Sequence, residues 1–299
     1  MRVIFSIYID FDNNDFEEDH DYQKNIKNKN EFKNNYNFLK DKQENYARKL
    51  GIPYILYEDD EKWKAYRKHF EDTYPFISKY NIINFYKIQI MYDLCKIYDE
   101  ILYMDFDVVP LTQDNIFEEI DTSGGIACRV NHERNPESYL TFLNPMIIKE
   151  REKRFSENNK TFSQRDPKAK YWNCRAMLIE EGYSGENDVY NTGIVLANKN
   201  NLKKLNYFKD FDDTLKFMHK IKNEEGFWPR FIQNCFGYDN ETLFSFKMKV
   251  NNVNLIKLDD VWHFPYRGLI NHIPKKTKLV HAINKNFKFI KEHVKKYNL

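Results

Sequence analysis

The chemistry in this 299-residue chain is concentrated in Ile101-Leu-Tyr-Met-Asp-Phe-Asp-Val-Val109. The apolar run reads as a buried strand, and residues two apart on a strand project to the same side, so Asp105 and Asp107 converge on one point. Two carboxylates side by side repel, and both stay ionised cheaply only with a cation between them. A hard divalent ion, Mn²⁺ or Mg²⁺, accepts such oxygens and also binds a diphosphate. It would stabilise the charge that builds on a nucleoside diphosphate as it leaves. An Asp at a strand end also caps turns and helices, which is the structural alternative for either residue.

The elements around this pair read as an alternation. Val3 to Ile9 is a compact β-rich run, and Pro53 to Tyr57 and Ile101 to Met104 are further strands. From Glu31, the positions Phe32, Tyr36, Leu39, Tyr46 and Leu50 suit a helix that stops at Gly51. Tyr80 to Tyr98 carries Ile83, Tyr86, Ile90, Leu94 and Ile97 at helical spacing. Such strand–helix alternation predicts parallel strands with crossover helices, and ligands of open α/β sheets collect at the carboxyl ends of strands. Asp12 to Asn35 is dense in Asn, Asp, Glu and Lys and reads as a solvated loop. Downstream, Gly125 to Arg129, Gly193 to Ala197, Leu255 to Leu258 and Val261 to Phe264 are strand-like, Leu202 to Ile221 reads as one amphipathic helix, and Phe287 to Tyr297 closes with a helix. Between two of these strands, residues 131–187 form a long polar stretch. The expectation is one α/β domain over residues 1–299 with a variable insertion at about 131–187.

Composition narrows the class. Lys plus Arg number 47 against 45 Asp plus Glu, a formal charge of +2, which argues against a nucleic-acid protein held by an overall basic field. Hydrophobic residues make up 41 %, enough for a packed core, while 9 Gly and 9 Pro exclude collagen-like and Pro/Gly-rich disordered classes. Cys95, Cys128, Cys174 and Cys235 form no CxxC pair, so neither a zinc site nor a disulfide framework follows, and reduced thiols in a cytoplasmic protein are the plainer reading. No segment has the length and apolarity of a membrane span or the pattern of a signal peptide. Nothing in the chain speaks to an oligomeric state.

Three stretches together resemble a known family. Ile101 to Pro110 resembles the Asp-X-Asp strand of GT-A fold glycosyltransferases, especially the retaining enzymes related to glycosyltransferase family eight and glycogenin. Asp188-Val-Tyr-Asn-Thr-Gly-Ile-Val-Leu-Ala-Asn198 resembles their Asn-Ser-Gly strand, with Asn191 and Gly193 on the key positions. Lys278-Leu-Val-His-Ala-Ile-Asn-Lys285 resembles their late His/Lys element through His281 and Lys285; Asn284 stands where the family has Gly, and no Pro-Trp follows. The order agrees from Val3 to Lys285. The resemblance implies a GT-A (Rossmann-like) mixed, mainly parallel sheet flanked by helices. It implies a nucleotide-diphosphate-sugar donor, UDP-sugar foremost, a glycan or other hydroxyl acceptor, and transfer with retention. Asp105, Asp107 and His281 would hold Mn²⁺ or Mg²⁺, and Lys285 would bind the leaving diphosphate. Tyr8 and Ile9 would meet the base, Lys87 would approach the diphosphate or sugar, and Phe106 belongs to the same donor-binding set. Asn191 would hydrogen-bond the sugar, an amide being able to donate and accept at once, while Gly193 lets backbone approach a ligand. Asp239, in Phe236-Gly-Tyr-Asp-Asn-Glu-Thr-Leu243, resembles the family's later acidic motif facing sugar and acceptor, and equally reads as a helix N-cap.

Two other classes compete. A haloacid-dehalogenase-type phosphohydrolase also sets Asp-X-Asp after an apolar strand, with Asp105 as nucleophile and Asp259-Asp260 as the late acidic pair. Its nucleophile strand normally lies near the N-terminus and runs into Gly-Thr or Gly-Val, whereas two strands precede Asp105 and Val108-Val109 follow. The third reading is a non-catalytic sugar-binding protein.

Overall fold

The computed structural model describes residues 1–16, 22–132, 169–185, 187–228, 230–268 and 271–298. Most of the polar insertion at 131–187 therefore lies outside the described residues. In chain order the elements are β1 (Arg2–Ile7), a 3-10 turn (Asn13–Phe16), α1 (Tyr22–Lys49), β2 (Tyr54–Tyr57), α2 (Glu61–Thr73), α3 (Lys79–Leu94), β3 (Glu100–Met104), β4 (Val108–Pro110), α4 (Ile116–Glu119) and β5 (Ile126–His132). There follow α5 (Ala169–Glu180), β6 (Val189–Asn198), α6 (Lys199–Leu205), α7 (Phe211–Asn223), α8 (Arg230–Cys235), α9 (Asn240–Val250), β7 (Leu255–Lys257), β8 (Phe264–Pro265), β9 (Leu279–His281) and α10 (Phe287–Tyr297).

A six-stranded sheet runs in the order β2-β1-β3-β6-β5-β7. β1 pairs in parallel with both β2 and β3, β5 with β7, and β6 runs antiparallel to β3. The expected mixed, mainly parallel α/β sheet flanked by helices is present. β1 and β3 are buried apolar runs, as central strands require. A second sheet, β4-β9-β8, pairs β4 antiparallel to β9 and β8 parallel to it. The chain divides into two compact units: Met1–Arg129 with Thr192–Lys203 and Asn254–Leu299, and Val130–Asn191 with Lys204–Val253.

In the first unit, one core cluster packs Ile4, Leu102, Met104, Val108 and Ile194 with Tyr46 of α1. Another joins Leu39 of α1 and Val109 and Val280 of the small sheet to Phe287 and Ile290 of α10. α10 shows the expected one-sided burial of Phe287, Ile290 and Val294. α3 is buried nearly all round, which its apolar composition permits. Among the described residues no helix is long and apolar enough to cross a membrane, and Cys95, Cys128 and Cys174 are buried and form no disulfide.

Three local expectations are corrected. The solvated loop expected over Asp12–Asn35 is instead a 3-10 turn and, from Tyr22, the first half of a 28-residue helix. Its inward positions there are Asn25, Asn28, Lys29 and Phe32, which line a cleft, so the face lacks the apolar stripe that announces a helix. The single helix expected over Leu202–Ile221 is two, broken at 206–210 where Asn206 and Asp210 adopt left-handed backbone (φ 47° and 52°). The strand expected over Val261–Phe264 is confined to Phe264–Pro265. Residues 259–262 form a turn in which the Asp259 carboxylate accepts from the amides of Val261 and Trp262.

Candidate active site

Asp105 and Asp107 sit in the turn that joins β3 to β4, and so belong to neither strand. The convergence expected from strand alternation therefore has another origin. The Val108 amide donates to the Asp105 carbonyl at 2.9 Å, and the tight reversal turns both carboxylates the same way. The two sheets meet at this turn, and their registers deliver the other residues. Met104 pairs with Ile194, so the next residue, Asp105, donates its amide to Gly193 O at 2.6 Å. Val108 pairs with His281, which sets that imidazole beside Asp107. His281 Nε2 lies 3.5 Å from Asp105 Oδ2 and 3.3 Å from Asp107 Oδ2.

The chain after His281 folds back on the same turn. Ala282 N donates to Asp107 O at 3.1 Å, Lys285 N donates to Ala282 O at 2.8 Å, and Lys285 takes left-handed backbone (φ 55°). This returns the Lys285 ammonium to Asp107 Oδ2 at 2.5 Å, with side-chain exposures of 13 % and 2 %. Burial alone would raise the Asp107 pKa, but Lys285 and His281 outweigh it and hold the carboxyl well below the usual carboxylate range. Burial likewise works against the Lys285 charge, and Asp107 reverses it, so the ammonium titrates above its ordinary value. On the other side, Lys87 of α3 is buried, donates to Thr192 O at 3.1 Å and stands 3.7 Å from Asp105 Oδ1. The Tyr103 hydroxyl donates to the same oxygen at 2.5 Å. Burial beside these carboxylates pushes the Tyr103 phenol up, so it remains a donor.

Gly193 is required by space. A Cβ at this position would lie 2.3 Å from His281 Cε1 and 2.7 Å from Asp105 Oδ2. No side chain fits without displacing the imidazole or the carboxylate.

Two further residues hold the arrangement. Gln43 of α1 is fully buried and donates from Nε2 to Asp105 O (3.0 Å) and Val108 O (2.8 Å), the two carbonyls of the turn. Its Oε1 accepts from Ser6 Oγ (2.5 Å) and Tyr54 OH (2.9 Å), so the amide is saturated. His263, one residue before β8, is fully buried with Nε2 2.9 Å from His281 Nδ1. Neither residue carries a sequence motif: a histidine between Trp262 and Phe264 suggests burial and no more, and a glutamine within a helix reads as an ordinary exposed helix former.

A cleft opens in front of the turn. It is lined by Tyr8, Ile9 and Asp10 after β1, by Asn25, Asn28 and Lys29 of α1, and by Phe106, Asp105, Asp107 and Lys285. Tyr8 packs against Phe106 and Tyr36, with ring centroids 4.9 and 5.0 Å apart. Burial first, then the nearby Asp10, raises the Tyr8 phenol to about 12, so it stays neutral. Of the residues singled out from sequence, Tyr8, Ile9, Lys87, Asp105, Phe106, Asp107, Gly193, His281 and Lys285 thus gather within the first unit.

Asn191 and Asp239 belong to the second unit. Asn191 Nδ2 donates to Asn131 Oδ1 at 3.2 Å, and Asn131 donates to Glu241 at 2.7 Å. Asp239 is the N-cap of α9, accepting from Thr242 N (2.9 Å) and Thr242 Oγ1 (2.6 Å), with Lys170 at 4.0 Å. Burial raises its pKa, and Lys170 and Thr242 only partly offset this.

The donor set suits a divalent cation. Asp105, Asp107 and His281 each offer one ligand atom, and these atoms lie within 4.8 Å of one another. Two hard carboxylates plus an imidazole match Mn²⁺ better than an all-oxygen ion.

No family model matches the chain, and no curated protein does. Similar solved structures include a glycosyltransferase involved in glycosylation of the major capsid of PBCV-1 (14 % identity, 99 % of this chain and 98 % of that one, TM-score 0.42). An active-site mutant of LgtC is similar at 10 % identity over 94 % and 86 % of the two chains (TM-score 0.46). Mouse xyloside xylosyltransferase 1 is similar at 10 % identity over 77 % and 75 % (TM-score 0.41). At these identities and TM-scores the likenesses assign neither a reaction nor a substrate.

Proposed function

We propose that this chain is a metal-dependent glycosyltransferase that takes a sugar from a nucleotide-diphosphate donor, UDP-sugar foremost, and passes it with retention to a glycan or other hydroxyl acceptor. The observation that carries the reading is the constellation in the first unit: Asp105, Asp107 and His281 converge, Lys285 stands against them, and an aromatic-walled cleft leads to them. When bound there, Mn²⁺ or Mg²⁺ would supply positive charge to a diphosphate leaving group. The protein's own residues do the rest. Tyr8 and Phe106 offer aromatic surface for a base, with Ile9 beside them. Lys285 provides a point charge for phosphate. Lys87, pinned between Thr192 O and Asp105, adds fixed charge at the opposite edge of the pair. On the sequence resemblance, Asn191 addresses the donor sugar and Asp239 the reacting groups. Asp239→Asn keeps the α9 cap, so lost turnover with unchanged stability would mark a chemical role.

The phosphohydrolase reading is served less well. Asp259 is occupied in its turn and Asp260 is paired with Arg129, so the late acidic pair has other partners. A thermal-shift panel of nucleotide sugars with Mn²⁺ tests the proposal, since a bound donor stabilises the fold by mass action. A nucleotide sugar that stabilises only with Mn²⁺, and is then turned over, supports it. Phosphoester hydrolysis with no response to any nucleotide sugar would overturn it.

A further inference from the structure

The His263–His281 contact is unusual chemistry for a buried place. Two imidazole nitrogens face each other at 2.9 Å, close enough to share one proton, and both residues are almost wholly buried, at 0 % and 4 % exposure. A contact this short needs one donor and one acceptor, so one of the two facing nitrogens carries a proton and the other a lone pair. A neutral imidazole carries a proton on one nitrogen only. Either His263 Nε2 donates to His281 Nδ1, or His281 Nδ1 donates to His263 Nε2.

The two choices have opposite consequences at the carboxylates. If His281 Nδ1 carries the shared proton, a neutral His281 presents a bare Nε2 lone pair 3.3 and 3.5 Å from the Asp107 and Asp105 oxygens. A cation can then take it as a ligand. If Nδ1 instead accepts, Nε2 bears the hydrogen and cannot ligate. A metal-bound histidine donates its other ring N–H to a neighbouring acceptor, which fixes both tautomer and ring plane. The acceptor within reach here is His263 Nε2. The opposite ring edge is held by Gly193, whose missing Cβ leaves the space the imidazole occupies.

We infer that His263 is a positioning residue for the metal centre: its Nε2 accepts the His281 Nδ1 proton and so presents His281 Nε2 as a ligand beside Asp105 and Asp107. The inference rests on the metal-site reading above. The His263 Nδ1 atom is buried with no partner among the described residues, so either tautomer leaves it unpaired and it does not decide between them. In this tautomer that nitrogen carries the His263 proton, the one the pair does not share. A carboxylate in place of His263 would accept as well but would bury another negative charge beside Asp107; a neutral acceptor does not.

The test compares His263→Gln, whose carbonyl oxygen can accept near the Nε2 position, with His263→Leu, which cannot accept. Mn²⁺ affinity is measured directly by electron paramagnetic resonance, and the tautomer of His281 is read from ¹H–¹⁵N spectra of the wild-type protein with Mg²⁺. The expected results are a ten- to hundredfold weaker Mn²⁺ affinity in His263→Leu, affinity within about threefold of wild type in His263→Gln, and an Nδ1–H on His281 in the loaded wild type. Equal Mn²⁺ binding by the Leu variant, or an Nε2–H on His281 with Mg²⁺ bound, overturns the inference. Absence of Mn²⁺ binding by the wild type would instead remove the metal-site reading beneath it. Should the Leu variant fail to fold, the wild-type spectra alone decide.

Discussion

Replacing Lys285 by Met removes the ammonium that touches Asp107 Oδ2 at 2.5 Å and keeps most of the side-chain volume. Asp107 is then left 2 % exposed, with His281 Nε2 at 3.3 Å as its remaining partner of opposite charge capacity. Breaking a buried ion pair from one side costs on the order of 3–5 kcal/mol, because the other charge stays buried without its partner. The nearby imidazole offsets part of this, so about 3 kcal/mol is expected. A divalent cation at the same carboxylate would restore the missing charge, and without the like charge of Lys285 it should bind more tightly. Wild type gains about 2.7 kcal/mol from Mn²⁺ at one hundred times its Kd. A tenfold tighter Kd in Lys285→Met would add about 1.4 kcal/mol at the same concentration. The assay is urea unfolding of both proteins, once in EDTA and once in Mn²⁺. A loss below about 1 kcal/mol in EDTA, or equal stabilisation of both proteins by Mn²⁺, would refute the reasoning.

Three other outcomes follow from the same geometry. Gly193→Ala drives a methyl to within 2.3 Å of His281 Cε1, and the forced shift should weaken Mn²⁺ affinity by about tenfold or more at an overpacking cost of roughly 1–3 kcal/mol, read by calorimetry and by unfolding. Gln43→Leu strands the Asp105 and Val108 carbonyls with Ser6 and Tyr54, for a loss of about 1–3 kcal/mol per buried group left unpaired, while Gln43→Glu should recover less than half of it because its second oxygen cannot donate. The pH profile in EDTA has a defined sign. Asp107 has a depressed folded pKa, so its contribution is present above about pH 3.9 and is lost as pH falls through the folded value. Lys285 has a raised one, so its contribution is present below about pH 10.4 and is lost as pH rises past the folded value. The stability advantage of wild type over Asp107→Asn/Lys285→Met should therefore shrink as pH falls below the first limit and as it rises above the second; an advantage unchanged at both extremes would contradict the assignment.

The sequence carried the parts of this site that are local. An apolar run ending in Asp-Phe-Asp declares a buried strand and its exit, and Gly193 and His281 to Lys285 lie in motifs short enough to be read as units. What it could not carry is geometry made by distant partners. The carboxylates converge through a turn fixed by Gln43, sixty-two residues before Asp105, and nothing near Gln43 announces that its amide faces inward. The first half of α1 was hidden because Asn25, Asn28 and Lys29 face a cleft, so periodicity in hydrophobicity vanished along that face. The break between α6 and α7 depends on left-handed Asn206 and Asp210, and both residue types are also common in helices' flanks. His263 sits between Trp262 and Phe264, which signals burial, but its partner lies eighteen residues on, across the pairing of β8 with β9.

The central claim is that Asp105, Asp107 and His281 serve a divalent cation in turnover of a nucleotide-sugar donor. Slow hydrolysis of the donor selected by the thermal-shift panel tests it most directly, measured with Mn²⁺, with EDTA, and in Asp107→Ala verified as folded by circular dichroism. The account predicts that chelation abolishes turnover, that added Mn²⁺ restores it, and that Asp107→Ala lowers it by roughly a hundredfold or more. Undiminished turnover in EDTA, or an Asp107→Ala variant as active as wild type, would contradict it.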